Sequence, residues 1–204
     1  MKVVFIPGVG YQNSNSKYGK FLDGLKEEVN FEWEIFNWSH SNLEEEHAEL
    51  HQSDHPEMEY NILRGWLSES ILDFQYVLLH SNEIKVPDAD IYIGHSAGSI
   101  VALTHAKEKC VLFGSPLNLI ELDRVSNNTT LIYSRRAKIT KVLNFIHKKD
   151  VLSHPLKHEN VTNIFINNNF LNIFGYSPIK AHNSYWKSKK VKKEMIEALK
   201  EWKC

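Results

Sequence analysis

The chain reads as an α/β protein, a three-layer sandwich in which a mostly parallel sheet of roughly six strands is flanked by helices. Three observations predict this. Short apolar runs alternate with amphipathic stretches at helical spacing, the pattern that right-handed strand–helix–strand crossovers require. The leading apolar run is near-continuous and β-branched, as in a strand buried on both faces. Finally, Gly94-His95-Ser96-Ala97-Gly98 stands between one such run and one such stretch. At 204 residues the chain can bury a sizeable core. With no internal repeat, linker or boundary in view, it reads as one domain over 1–204.

The elements follow in order. Lys2 to Ile6 is the first strand, closed by the breaker cluster Pro7-Gly8-Val9-Gly10-Tyr11. Asn15 or Ser16 can cap a helix from Lys17 to about Val29, with Tyr18, Phe21, Leu22 and Leu25 on one face. Phe31 to Trp38 alternates and predicts a second strand, nearer an edge. After Asp54-His55-Pro56, a long amphipathic helix spans about Glu57 to Leu79. Ala89 to Ile93 is the third strand, and Ser99 to Lys109 the helix after it. Cys110 to Phe113 is the fourth strand, ending at Gly114-Ser115-Pro116. A short helix within Pro116 to Ser126 and a strand or extended loop over Thr129 to Ser134 come next. Lys141 to Ile146 and Val161 to Ile166 are the fifth and sixth strands. A closing helix runs from about Asn183 to Trp202, with Trp186, Val191, Met195, Leu199 and Trp202 at helical spacing.

Composition narrows the function classes. Hydrophobic residues make up 42% and charged residues 24%, ordinary for a globular protein. A net charge of −1 offers no basic field for nucleic acid or an anionic membrane. No run is long enough to span a bilayer, so stable membrane insertion is not expected. The N-terminal apolar run is too short for a secretory signal and reads better as a strand. Cys110 and Cys204 demand no disulfide, which suits a reducing, cytoplasmic setting. Eleven histidines make the charge sensitive to pH.

In parallel α/β sheets, ligands bind beyond the carboxyl ends of the strands. The turn Pro7-Gly8-Val9-Gly10 follows the first strand, Ser96 the third, Asp150 the fifth and His182 the sixth. A strand, Gly-x-Ser-x-Gly and a helix are the context of a nucleophile elbow, and the order Ser…Asp…His is that of one hydrolase architecture. The chain resembles the α/β-hydrolase superfamily on its serine esterase and lipase side, as a minimal version of that fold. The resemblance rests on 5–10, 94–98, 112–116, 144–151 and 181–186 and spans nearly the whole chain. Pro7-Gly8 stands where the family usually has His-Gly, and Asp150-Val151-Leu152 where it has Asp-Pro-Val. Antiparallel strands ahead of the first parallel one and a large lid domain are not evident.

The resemblance implies cleavage of small-molecule carboxylic esters through an acyl-enzyme. Ser96 attacks, His182 moves the proton, and Asp150 holds the imidazole tautomer. Backbone N–H groups of Ala97 and Val9 receive the oxyanion, an effect worth roughly 3–4 kcal/mol per donor. Gly8, Gly10 and Tyr11 border the substrate, and no metal or organic cofactor is required. The same triad also supports a thioesterase or acyl transferase. A non-catalytic binding protein on a hydrolase fold is the rival from another class.

Each assignment has a competitor. Asp150 adjoins Lys148 and Lys149 and reads alternatively as a solvated carboxylate, with Asp123 as the rival acid. His154 and His158 rival His182 but precede the last strand. His95 is expected to point away from Ser96 and to serve structure. Ser115 lines the site or makes a turn. His47, His51 and His55 recur every four residues, a spacing that could hold a divalent ion, but the acidic segment reads better as solvated surface. Its position also suits a small lid. The apolar loop with Phe170 and Phe174 either lines the acyl or alcohol pocket or packs on the last helix. The lysines of 187–193 read as the solvated face of that helix. Substrate and oligomeric state are not legible.

Overall fold

The computed structural model describes residues 1–8, 17–38, 77, 80–117, 141–167 and 181–203. Within them lies one six-stranded, all-parallel sheet. Its strands are β1 (Lys2–Ile6), β2 (Glu32–Ile35), β3 (Ile91–His95), β4 (Lys109–Phe113), β5 (Lys141–His147) and β6 (Val161–Ile166). Their order across the sheet is β2-β1-β3-β4-β5-β6. The helices are α1 (Tyr18–Lys26), α2 (Gly98–His105) and α3 (Lys189–Lys203), with a 3-10 turn at Tyr185–Lys187.

Side chains alternate across the pleat and sort into two cores. On one face, Val3, Phe5, Ile91, Ile93, Val111, Phe113, Phe145, Ile164 and Ile166 pack against α1 and α3. On the other, Val4, Ile6, Tyr92, Cys110, Leu112 and Val142 pack with Ile100, Val101 and Leu103 of α2. This is the three-layer arrangement, with the sheet as the middle layer. The predicted face of α1 (Tyr18, Phe21, Leu22, Leu25) is buried, as are Val191, Met195, Leu199 and Trp202 of α3. Cys110 is a buried free thiol whose pKa burial pushes up. No helix among the described residues is long and apolar enough to cross a membrane.

Boundaries shift where local chemistry overrides periodicity. Among the described residues β2 pairs with β1 alone, and it ends at Ile35, short of the expected Trp38. The last bond on that side runs from the Phe36 N–H to the Phe5 carbonyl, and Trp38 Nε1 then donates to the Pro7 carbonyl at 2.7 Å. α1 ends at Lys26, three residues short of the expected Val29. α2 ends at His105 rather than Lys109, since Ala106 turns extended (ψ 132°) to feed β4. α3 starts at Lys189 instead of Asn183 because Ser188 caps it, its Oγ accepting from the Val191 N–H at 3.4 Å. The expected short helix in 116–126 and strand in 129–134 lie outside the described residues, as does the expected helix at 57–79 apart from Val77.

The β5–β6 edge is covered on the α2 side by the segment after Asp150. Asn163 wires it down. Its Oδ1 accepts from the Leu156 N–H (3.0 Å) and from Asn144 Nδ2 (2.9 Å), and its Nδ2 donates to the Leu156 carbonyl (2.9 Å). Asn144 Nδ2 also donates to the His154 carbonyl at 3.0 Å. Two strand asparagines thus supply the pairing that a loop cannot make for itself.

Candidate active site

Because all strands run the same way, every strand's carboxyl end opens on one edge of the sheet. Gly8, Ser96, Gly114, Asp150 and His182 gather there. Ser96 is the only non-glycine among the described residues with a positive φ, +54°. Such a conformation costs on the order of 1–3 kcal/mol and persists only where the surroundings enforce it. Here the Ser96 N–H donates to the Phe113 carbonyl at 2.9 Å, and the Ser96 carbonyl accepts from the Ser99 N–H and hydroxyl.

The flanking glycines have a steric reason. A Cβ on Gly94 would lie 2.4 Å from Ser99 Cα, and one on Gly98 would lie 2.3 Å from the carbonyl oxygens of Ile6 and Pro7. Neither contact is possible, so β3, α2 and β1 approach this closely only around glycine. Gly8 is the third such position: its Cβ would meet Ser96 Cβ at 2.7 Å and Ser96 Oγ at 3.3 Å. Ala97 precedes α2, and among the described residues no carbonyl accepts from its N–H. Ser115 is fully buried and serves the elbow rather than its surface. Its Oγ lies 3.0 Å from Ser99 Oγ and accepts from the Leu117 N–H.

Asp150 and His182 form the other half. His182 Nδ1 lies 2.8 Å from Asp150 Oδ2, with the Asp150 side chain 1% and the His182 side chain 13% exposed. Asp150 is therefore no solvated partner of Lys148 and Lys149. Burial alone would raise its pKa. The bonds from His182, from Tyr185 Oη (2.8 Å) and from the Leu152 N–H (3.0 Å) outweigh that and hold the carboxyl below its usual range. In the tautomer that donates from Nδ1 to the carboxylate, the His182 lone pair is on Nε2. The rival histidines are engaged elsewhere. His154 Nε2 reaches the Val151 carbonyl, and His158 Nδ1 accepts from the Asn160 N–H.

The pair lies against the turn that anchors Ser96. Gly114, which follows the carbonyl bonded to the Ser96 N–H, has φ +57°. A Cβ there would stand 2.9 Å from His182 Nδ1 and 3.0 Å from Asp150 Oδ2. His95 links the halves from below, its Nε2 3.0 Å from the His182 carbonyl oxygen and its Nδ1 3.2 Å from Tyr18 Oη.

Three contributors escaped the sequence reading. Tyr185 also accepts from the His147 N–H at 3.2 Å, so it ties the end of β5 to the carboxylate. Its signal was the spacing of three from His182. By sequence, Gly114 is only part of a turn. Trp186 falls at helical spacing with the last helix, but in the structure it meets Phe5, Tyr18, Phe21, His95 and Phe113 in an aromatic cluster under the site. Val9, Gly10, Tyr11, Phe170, Phe174 and Asp123 lie outside the described residues, as do His47, His51 and His55 with the suggested lid.

No protein-family model and no curated protein matches the chain. Among solved structures it is similar to an esterase of Pyrococcus furiosus, with 12% identity and a TM-score of 0.48, over 98% of this chain and 82% of that one. It is also similar to carboxyl esterase 2 of the mycorrhizal fungus Tuber melanosporum, with 12% identity and a TM-score of 0.40, over 93% and 78%.

Proposed function

We propose that the chain is a serine hydrolase that cleaves carboxylic esters through an acyl-enzyme, with Ser96 as nucleophile, His182 as general base and acid, and Asp150 as its orienting carboxylate. The observation that carries the reading is the buried Asp150–His182 pair, packed on the same Gly114 turn that anchors the strained Ser96. A surface ion pair would not need a buried carboxylate, and a plain strand-to-helix turn would not need a serine at positive φ.

The chemistry follows. Ser96 Oγ adds to the ester carbonyl while His182 Nε2 takes the hydroxyl proton. Asp150 stabilises the imidazolium through Nδ1 without itself taking a proton. The negative charge forming on the carbonyl oxygen is received by the Ala97 N–H at the start of α2, and we assign the second donor to Val9. The C–O bond to the alcohol then breaks, and the alcohol leaves with the proton from His182. Water repeats the sequence on the acyl-serine, releasing the carboxylic acid and restoring the serine.

The test is labelling by a fluorophosphonate probe together with hydrolysis of short p-nitrophenyl esters, in the parent and in Ser96→Ala. The parent is expected to label and turn over, and the variant to lose label and on the order of 10⁴-fold or more in kcat. A folded parent that does neither rules the reading out.

A further inference from the structure

We propose that His95 is a positioning residue: from beneath the elbow it holds the backbone of His182 while Asp150 holds its ring, so the imidazole is suspended from both ends. The inference rests on the hydrolase reading above and names a role for a residue that reading does not use.

The β3 pleat turns Ile91, Ile93 and His95 toward α1 and α3, so the His95 ring lies under the sheet edge, not beside the serine. It is 3% exposed. Its two nitrogens have different partners, and those partners fix the tautomer. The His182 carbonyl can only accept, so Nε2 must carry the proton that bridges the 3.0 Å between them. Nδ1 is then bare and accepts from the Tyr18 hydroxyl at 3.2 Å. The other tautomer would aim a lone pair at the carbonyl oxygen. The carbonyl thus sets the tautomer, and the Tyr18 hydroxyl satisfies the nitrogen left bare.

One anchor would not hold the base. The Nδ1–Oδ2 bond leaves the ring free to swing about that contact, and the backbone free to carry Nε2 away from Ser96. A second bond, to the His182 carbonyl, restrains the backbone from which that ring is hung. The His95 and His182 ring centroids are 4.9 Å apart. A charge on His95 would therefore oppose the imidazolium that must form on His182. Burial first, then the nearness of His182, keep His95 neutral, with its pKa pushed down to about 3. A neutral donor is the group this position needs.

The test compares the full-length parent with His95→Phe, His95→Gln and Tyr18→Phe, using p-nitrophenyl acetate hydrolysis and imidazole 15N NMR. The parent spectrum is expected to show His95 protonated at Nε2 and bare at Nδ1. His95→Phe keeps the ring volume but loses the donor, and is expected to lower kcat about 10- to 100-fold with KM changed by less than about twofold. His95→Gln restores an N–H of similar reach and is expected to recover to within about threefold of the parent. Tyr18→Phe removes the donor to Nδ1 and so loosens the His95 ring without changing His95 itself, and is expected to fall between them, which keeps the test open if His95→Phe does not fold. The inference is overturned by a His95 protonated at Nδ1, by parent-like kcat in the Phe variants, or by equal losses in His95→Gln and His95→Phe. A parent that neither hydrolyses nor labels overturns the hydrolase reading and this role with it. An active parent with unaffected variants overturns this role alone.

Discussion

At the scale of single residues, the site depends on atoms that are missing as much as on those present. Gly114 shows this best. Its φ of +57° disfavours any side chain, and a methyl would collide with both His182 Nδ1 and Asp150 Oδ2. Gly114→Ala is therefore expected to separate the pair from the serine before it unfolds the protein. The backbone strain is worth about 1–2 kcal/mol of stability, whereas a displacement near 1 Å costs on the order of 10²-fold in kcat. Urea denaturation alongside ester hydrolysis checks this. Activity lost only in proportion to the folded fraction would count against it. Tyr185 works the other way, by what it adds. Its hydroxyl hydrogen-bonds the acid from within the core, and burial and the Asp150 charge raise its own pKa so that it stays a proton donor.

At the scale of elements, the site is made by strand ends and held by the segments between them. The segment after Asp150 has no helical or strand ladder of its own across the β5–β6 edge; Asn163 and Asn144 supply the bonds. Asn163→Ala strips partners from the Leu156 N–H and carbonyl and from Asn144 Nδ2. It is expected to cost about 1–3 kcal/mol, the usual range for stranded polar groups. It should also lower kcat more than it lowers the denaturation midpoint, because the loosened segment begins at the acid. A stability loss with full kcat in the folded protein would show that Asp150 is held from elsewhere. The strand-to-helix elbow is set by close packing. Gly94, Gly98 and Gly8 set the spacing of β1, β3 and α2, and any Cβ at these points must push backbone or Ser96 aside.

At the scale of the whole molecule, two buried histidines tie stability to pH. Burial holds His95 down to about 3 and also lowers His147. The unfolded chain titrates both near 6.5, so below that pH it binds protons the folded protein refuses. Their stabilising contribution is complete above pH 6.5 and is lost as pH falls toward the folded values. Each adds a slope of up to about 1.4 kcal/mol per pH unit. Asp150 acts in the same direction at lower pH, since its folded pKa is depressed. The urea midpoint is expected to drop between pH 7 and pH 5, and His95→Gln to flatten that drop; a constant midpoint in the parent would contradict it. Much of this molecule was legible beforehand. Near-continuous apolar runs reported strands buried on both faces, and helical spacing found the buried faces of α1 and α3. The order of the strands placed Ser96, Asp150 and His182 at one edge, because a parallel sheet sends all its carboxyl ends there. Those signals are local and periodic, and local order suffices to read them. The rest depended on contacts between residues far apart in the chain. That Gly114 faces the Asp150–His182 pair, that Tyr185 reaches Asp150, and that His95 bonds the carbonyl of a residue 87 positions away are set by how layers pack. The sequence by itself determined the architecture and the kinds of side chain at the sheet edge. Only the tertiary structure decided which groups touch, because burial and hydrogen-bond partners are properties of the assembled layers and of no single segment.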